Sequence, residues 1–213
     1  MPRPQRVAVT GVSHWHSTYD AAYLRILADL KLDIVGVSDE DGGLADDRAE
    51  RFDSTPVTDY RTMIEETSPE FVVALGRHVG MPEIFRYLVG TGIPFMMEKP
   101  WGVDAETVAG LADLAEEKGT WVAVPFITRY SHWAEAARQM IEDGEVGDVQ
   151  LITSVAGDGL PNYATHQTDM FRYLLGDVEC TWVTGQVERQ TDHWERATRI
   201  EDKALAVFGF ENG

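Results

Sequence analysis

Short apolar segments alternate with amphipathic segments over the first 124 residues. Apolar runs typical of β-strands cover residues 6–10, 32–37, 71–75, 93–97 and 121–124. Most are apolar on both faces, as expected for strands that helices cover on each side. Helical periodicity fills the intervals at residues 18–30, 44–52, 60–66, 81–90 and 105–118. Repeated strand–helix–strand units with short joins predict an α/β domain with a doubly wound parallel sheet over residues 1–124.

After Pro125 the pattern changes and predicts a second, α+β domain over residues 125–213. Helical segments are expected at 131–141 and 165–175, and strands at 148–156, 180–189 and 203–210. The sequence stops just after a strand and a turn signal, as though another strand should follow. We therefore expect this second domain to be incomplete.

The turn after the first strand has the features of a pyrophosphate cradle. Gly11 follows the strand, and a helix is predicted to begin a few residues later. Backbone N–H groups in such a turn and the helix dipole favour an anion. Of the usual G-x-G-x-x-G pattern only the first glycine is present, since Ser13 and His16 occupy the second and third places. An ordinary strand–helix turn is the alternative.

Asp39 strengthens the dinucleotide hypothesis. It lies at the end of the second strand, where a carboxylate can accept both ribose hydroxyls of adenosine and would repel a 2′-phosphate. This position favours NAD over NADP. Because Glu40 and Asp41 follow, an acidic surface turn is the alternative.

Lys99 is the strongest local signal. It follows the apolar run at 93–97 within Glu98-Lys99-Pro100. Ligands of open α/β sheets bind outside the carboxyl ends of the strands. The chain has only four lysines, so a lysine at this place is not expected to be simply a solvated surface charge. A surface Glu-Lys pair that closes the strand is the alternative.

The charge balance excludes some partners. The chain has 18 basic and 36 acidic residues, a net charge of −18 and a pI near 4.6. Such a field repels nucleic acid and anionic membrane surfaces, so neither is expected as a partner. Abundant acid with few lysines is typical of adaptation to high salt, and an ordinary acidic enzyme is the alternative. Adaptation to high salt predicts a stability that rises between low and molar KCl, and a stability that does not rise would exclude it.

Cysteine content and the N-terminus favour the cytoplasm. Cys180 is the only cysteine, so no internal disulfide can form. The first apolar run breaks at once into Ser13 and His14, and it predicts neither a signal peptide nor a membrane span.

Several ordered motifs together resemble one family. They are Glu98-Lys99-Pro100, Arg129-Tyr130, the Gly144-Glu-Val-Gly147 turn, and His166 with Asp169 ahead of Leu-Leu-Gly. The chain from residue 6 to its end resembles the glucose–fructose oxidoreductase, inositol dehydrogenase and MocA (Gfo/Idh/MocA) family. The resemblance implies a Rossmann domain and a homo-oligomeric NAD(P)-dependent dehydrogenase or reductase acting on CH–OH groups of sugars, polyols or related hydroxy compounds.

The resemblance also implies roles for individual residues. Lys99 and His166 match the family's catalytic lysine and histidine. Because His166 begins an amphipathic helix, a helix cap or a packed polar residue is the alternative for it. Asn162 stands at the place of a family aspartate and is expected to bind substrate. Tyr163 and Asp169 are further candidates for substrate binding, and holding the start of the helix is the alternative for Asp169. Cofactor binding is assigned to Gly11, Ser13, His14, Trp15, Asp39, Gly76, Arg77, His78 and Glu98. Two positions depart from the family: Asn162 replaces an aspartate, and residues 76–78 replace a Thr-Pro-Asn loop.

His14 and His16 also suggest a metal site. Two histidines two positions apart suit a strand better than a tight turn, and no cysteine or further histidine cluster accompanies them. We expect no metal, and expect His14 or Trp15 to line the cofactor or substrate cleft. Tyr163 is a candidate for stacking on a sugar face, although packing is the commoner use of such a ring.

The expected chemistry is hydride transfer between nicotinamide and a secondary alcohol. A histidine imidazole ordinarily titrates near neutral pH, so His166 is expected to take the hydroxyl proton, while the Lys99 ammonium would stabilise the developing alkoxide. Asn162 leaves two alternatives open. One is a nucleotide-binding sensor or regulator with weak or no turnover, and the other is a glycosidase that uses NAD transiently.

Overall fold

The strands predicted in the first half of the chain form one parallel sheet of six strands in the computed structural model, which describes residues 3–19, 21–157, 159–195 and 198–212. The strand order is β3-β2-β1-β4-β5-β6. The strands are β1 (Arg6–Thr10), β2 (Asp33–Ser38), β3 (Pro56–Val57), β4 (Phe71–Ala74), β5 (Phe95–Met97) and β6 (Val122–Ala123). All five neighbouring pairs are parallel, which confirms the predicted doubly wound fold.

Helices connect these strands, and three of the five begin at side-chain caps that the sequence supplies. They are α1 (Tyr23–Asp29), α2 (Gly42–Phe52), α3 (Tyr60–Thr67), α4 (Met81–Thr91) and α5 (Ala105–Lys118). The carboxylates of Asp41, Asp59 and Asp104 accept hydrogen bonds from backbone N–H groups in the first turns of α2, α3 and α5. These caps satisfy donors that a helix cannot pair internally.

Alternate strand residues face two separate apolar cores. In β1, Val7 and Val9 belong to one core and Ala8 to the other. The same alternation in β4 assigns Val73 to the first core and Val72 to the second. Since successive side chains of a strand point to opposite faces, both faces of the sheet are covered. The sheet is thereby a rigid support for the loops at its strand ends.

A second compact unit begins at Phe126. It contains α6 (His132–Glu142), α7 (Thr165–Leu174), β7 (Cys180–Glu188), β8 (Trp194–Glu195), β9 (Thr198–Arg199) and β10 (Lys203–Phe210). β7 pairs with β10 and β8 with β9, both antiparallel. A 3₁₀ turn, Ile127–Tyr130, precedes α6, and a π-helical turn, Leu160–Ala164, leads into α7.

Two predicted elements differ in the structure. The strand predicted at 148–156 is wrong, because described residues 148–157 have no ladder partner, and the Leu151 side chain is 77% exposed. The helix predicted at 18–30 begins only at Tyr23, after a 3₁₀ turn at Trp15–Ser17. No helix among the described residues is long and apolar enough to cross a membrane.

Candidate functional site at the carboxyl edge of the sheet

Four strand ends, those of β1, β2, β4 and β5, are joined by backbone hydrogen bonds where the sequence predicts the dinucleotide turn. The Gly11 N–H donates to the Ser38 carbonyl at 2.7 Å, joining the residue after β1 to the end of β2. The Leu75 N–H donates to the Thr10 carbonyl at 3.0 Å, joining the residue after β4 to the end of β1. The Glu98 N–H donates to the Ala74 carbonyl at 3.0 Å, so the residue after β5 is tied to β4. Gly11, Asp39 and the Glu98-Lys99 pair therefore follow strands that end along one edge.

Gly11 meets two requirements that only glycine satisfies. Its φ of +72° lies in the left-handed region, and a Cβ at this position would lie 2.3 Å from the Leu75 carbonyl oxygen. Because that oxygen belongs to backbone, it cannot move aside cheaply. A tight turn at this place is what a dinucleotide-binding loop requires of its first glycine.

The Asp39 carboxylate is hydrogen-bonded to the turn after β1, which is the predicted dinucleotide turn. The Ser13 N–H donates to Asp39 Oδ2 at 2.7 Å, and the Asp41 N–H donates to Oδ1 at 3.1 Å. These two donors orient the half-buried carboxylate just beyond β2. An acceptor so oriented suits ribose hydroxyls, and its negative charge disfavours a 2′-phosphate.

The His-Trp-His segment after Gly11 forms the cap and the first two residues of the 3₁₀ turn Trp15–Ser17. His14 caps this turn, with its Nδ1 accepting from the His16 N–H at 3.1 Å. The Trp15 ring is exposed and lies 5.0 Å, centroid to centroid, from the Tyr19 ring. No group of three or more metal-ligating side chains occurs in the described parts of the chain. His14 therefore has a structural contact within the turn, and its predicted role toward a ligand stays a prediction.

Glu98 is a buried carboxylate that binds three protein donors. Its side chain is 2% exposed. His16 Nδ1 and the Tyr23 hydroxyl each donate to Oε1 at 2.7 Å, and the Lys99 N–H donates to Oε2 at 3.1 Å. Burial raises the pKa of Glu98, but the hydrogen bond and charge of His16, aided by the Tyr23 hydroxyl, outweigh it and leave this pKa below its usual value. Burial and then the nearby Glu98 charge raise the pKa of Tyr23.

Lys99 is buried at the end of β5. Only 5% of the residue is exposed, and the peptide bond to Pro100 is cis. The Trp101 indole donates to the Met97 carbonyl at 3.3 Å and so brackets the segment. A lysine is seldom buried this completely, and burial of this kind marks candidate functional lysines.

The loop after β4 contains the other predicted cofactor residues. A Cβ on Gly76 would lie 2.9 Å from Met81 Sδ, near the end of a flexible side chain. His78 is buried and Arg77 is exposed, and the Arg77 carbonyl accepts from the Gly80 N–H at 2.9 Å. These residues form the turn that leads into α4, and their predicted contact with a cofactor stays a prediction.

In the second unit, His166 lies in the first turn of α7. Its half-buried ring is 5.7 Å from the Phe126 ring in an edge-to-face arrangement and 6.2 Å from the Tyr163 ring. Asn162, which replaces the family aspartate, is buried and donates from Nδ2 to Glu195 Oε1 at 2.7 Å. A carboxylate is thus present next to position 162, supplied by β8.

Asp169 lies one turn further along α7 and forms an ion pair. Both carboxylate oxygens accept from the Arg129 guanidinium, with Nε to Oδ2 at 3.0 Å. The same guanidinium lies 5.2 Å from the centre of the Tyr173 ring. A bidentate pair of this kind fixes the 3₁₀ turn before α6 against α7. The contacts of Asp169 are structural, and its expected role in substrate binding stays a prediction.

Sequence reasoning missed three residues of these clusters. His16 was considered only as a missing glycine and a metal ligand, while Tyr23 and Glu195 were not singled out. His16 and Glu98 are 82 positions apart, and Asn162 and Glu195 are 33 apart. No local spacing reveals such pairs. The one sequence signal that could have indicated the pair of His16 and Glu98 is a histidine at the place of the third glycine, in a turn that must pack on a buried carboxylate.

Comparisons with known proteins agree with this architecture. Residues 5–126 match the model of the Gfo/Idh/MocA oxidoreductase family, described as having an NAD-binding Rossmann fold. The myo-inositol dehydrogenase Hyg17 of Streptomyces leeuwenhoekii is 29% identical over 109 residues, which are 45% of this chain and 34% of that protein. The inositol 2-dehydrogenase of Rhizobium meliloti (strain 1021) is 27% identical over 100 residues, 40% of this chain and 30% of that protein.

Solved structures share the fold over the whole chain. GenD2 from gentamicin A biosynthesis, in complex with NAD, has a TM-score of 0.82 at 23% identity, covering 100% of this chain and 66% of GenD2. An inositol dehydrogenase homolog from Azotobacter vinelandii, with NADH and myo-inositol, also scores 0.82 at 20% identity, covering 100% of this chain and 62% of that one. The chain thus spans about a third of the length of the curated relatives and under two thirds of the length of this homolog.

The family model, which matches more than half of the sequence, confirms the expected resemblance, and the chain belongs to the Gfo/Idh/MocA oxidoreductase family with the NAD-binding Rossmann fold.

Proposed function

We propose that the protein is an NAD-dependent dehydrogenase that transfers a hydride between nicotinamide and a secondary alcohol of a sugar, polyol or related hydroxy compound. The observation that carries this proposal is the buried Lys99, at the end of β5, on the same sheet edge as the Gly11 turn and the Asp39 carboxylate. The relatives named as inositol dehydrogenases support a cyclic polyol as the substrate class.

The cofactor turn fits a dinucleotide. Gly11 permits the tight turn after β1, and the carboxylate of Asp39 would accept the ribose hydroxyls while Ser13 keeps it oriented. When bound, NAD supplies the nicotinamide carbon that accepts or returns the hydride.

The chain's own residues supply the proton chemistry. The Lys99 ammonium would hydrogen-bond the substrate oxygen and stabilise its alkoxide character. The His166 imidazole would take the hydroxyl proton on a ring nitrogen, which makes it positively charged. A proton-transfer group of this kind contributes roughly 10²–10⁴-fold in rate. Asn162 supplies amide hydrogen bonds in place of the aspartate's charge, and its partner Glu195 supplies a carboxylate nearby.

The experiment is an NADH absorbance assay with a panel of polyols that includes myo-inositol. The proposal predicts net NADH formation with at least one polyol and a loss of about 10²-fold or more in Lys99→Ala. Lys118→Ala is the matched control, because Lys118 is an exposed lysine at the end of α5. NAD binding without turnover, unaffected by Lys99→Ala, would instead support a sensor, and glycoside cleavage without net NADH would support a glycosidase.

A further inference from the structure

The Glu98 carboxylate connects three parts of the first unit. His16 donates to it from the 3₁₀ turn after β1, and Tyr23 donates to it from the first residue of α1. The third donor is the backbone N–H of Lys99. The cofactor turn and the strand end that bears Lys99 are therefore joined through one buried group.

We propose that His16 is a positioning residue, which acts through Glu98 to hold the turn after β1 against the segment that places Lys99. The assignment of a role in turnover rests on the proposed function, whereas the placement of Lys99 can be measured without it. The roles that the family resemblance implies do not include one for His16, and the sequence pattern suggests for it only a metal ligand.

The position of His16 in the dinucleotide pattern explains why a side chain is needed. In the usual pattern the third glycine allows the helix to pack closely on the strand. Here His16 stands at that place, and α1 begins only at Tyr23. The turn is instead closed by side chains: Ser17 Oγ donates to the Val12 carbonyl at 2.7 Å, and His16 reaches Glu98. His16 thus supplies the contact between turn and sheet that close helix packing supplies elsewhere.

The Glu98 carboxylate links the hydrogen bond from His16 to the backbone of Lys99. Oε1 is shared by His16 and Tyr23, and Oε2 holds the Lys99 N–H. Removing a donor from a buried charged acceptor leaves that charge poorly solvated and free to rotate toward other donors. Rotation would release the Lys99 backbone, and the lysine side chain would then lose its fixed direction and its shielding from solvent.

The first test measures how well Lys99 is shielded, by brief acetylation with acetic anhydride and peptide mass spectrometry. The three other lysines, Lys31, Lys118 and Lys203, are exposed and act as internal references. In the wild type, Lys99 should react far more slowly than Lys118. In His16→Leu its relative rate should rise about tenfold or more, because a lost hydrogen bond to a charged acceptor shifts the local opening equilibrium by about that factor.

Matched variants separate positioning from a general loss of structure. His16→Asn keeps an N–H donor close to the place of Nδ1 and should stay within about threefold of the wild type. Tyr23→Phe removes the second donor to Oε1 and should raise the Lys99 rate in the same direction. Should His16→Leu fail to fold, Tyr23→Phe and His16→Asn carry the comparison. His132→Leu, at an exposed histidine in α6, is the control and should change nothing.

The second test measures NAD affinity by tryptophan fluorescence, with kcat and KM for the best polyol. His16→Leu should weaken NAD binding by about tenfold and lower kcat, and His16→Asn should largely restore both. An unchanged Lys99 acetylation rate in both His16→Leu and Tyr23→Phe would overturn the inference, whatever the activity. A wild type that shields Lys99 through His16 but oxidises no polyol would refute the proposed function alone.

Discussion

Replacing Gly11 with alanine tests the geometry of the cofactor turn most sharply. At φ +72° an alanine occupies the left-handed region, which costs roughly 1–2 kcal/mol. Its Cβ would also lie 2.3 Å from the Leu75 carbonyl oxygen and 2.7 Å from the carbonyl carbon. Overpacking of this kind costs about 1–3 kcal/mol, because the ends of β1 and β4 must separate. We expect Gly11→Ala to lower the free energy of unfolding by about 2–5 kcal/mol in total.

Gly110→Ala is the matched control for the same change of side chain. Gly110 lies inside α5, and a Cβ there meets no atom within 4 Å. Alanine should raise the free energy of unfolding by roughly 0.5–1 kcal/mol, since it loses less backbone entropy in a helix.

Urea denaturation followed by circular dichroism, with NAD titration at low urea, measures both variants. Gly11→Ala should show a lower midpoint and at least about tenfold weaker NAD binding, while Gly110→Ala binds NAD as the wild type does. A Gly11→Ala protein as stable as the wild type would refute the account of the turn, because a methyl group would then have room where the structure leaves none.

Three further predictions concern carboxylates and their neighbours. Asp39→Asn keeps an oxygen for the Ser13 N–H but removes the charge, so the ratio of NADP to NAD affinity should rise about tenfold in fluorescence titrations; an unchanged ratio would contradict the ribose role. Asn162→Asp brings a carboxylate to within 2.7 Å of the Glu195 carboxylate, which should destabilise the protein by about 1–3 kcal/mol in urea at pH 7. Adding Glu195→Gln should restore stability, and a double variant no more stable than Asn162→Asp would contradict this contact. The Thr191 hydroxyl and the Thr191 and Gln190 N–H groups lower the pKa of Asp202 from 3.8 to about 2, so the stabilisation by its carboxylate is complete above pH 3.8 and is lost as the pH falls through 2. In acid unfolding, the stability of the wild type in excess of Asp202→Asn should therefore shrink over that pH window. A difference that stays constant would refute the assignment.

Periodicity predicted most of the fold because the fold depends on it directly. A strand buried on both faces must be apolar throughout, as Phe71–Ala74 is, and a helix that covers a sheet needs one apolar stripe. The strand predicted at 148–156 failed because a strand also needs a partner, which local pattern does not supply. The late start of α1 at Tyr23 was missed because the residue before it, Ala22, has a φ of +45° in the left-handed region, which apolar periodicity does not reveal.

In the candidate site, too, the sequence predicts the residues that follow strands but not the contacts between distant residues. Gly11, Asp39 and Lys99 could be predicted because each follows a recognisable strand, and strand ends of a parallel sheet share an edge. The hydrogen bond from His16 to Glu98 could not, since it joins residues that only the finished sheet brings together. The same is true of Asn162, whose replacement of an aspartate was visible in the sequence while its Glu195 partner was not.

The most direct test of the central claim, that Lys99 and His166 serve one reaction, is a double-mutant cycle on NAD-dependent polyol oxidation. Lys99→Met, His166→Gln and the double variant are compared with the wild type by kcat/KM. The account predicts that each single variant loses roughly 10²–10⁴-fold and that the double variant loses little more than the worse single one, because groups that act on one transition state are not additive. Full additivity of the two losses, or a single variant with wild-type kcat/KM, would contradict it.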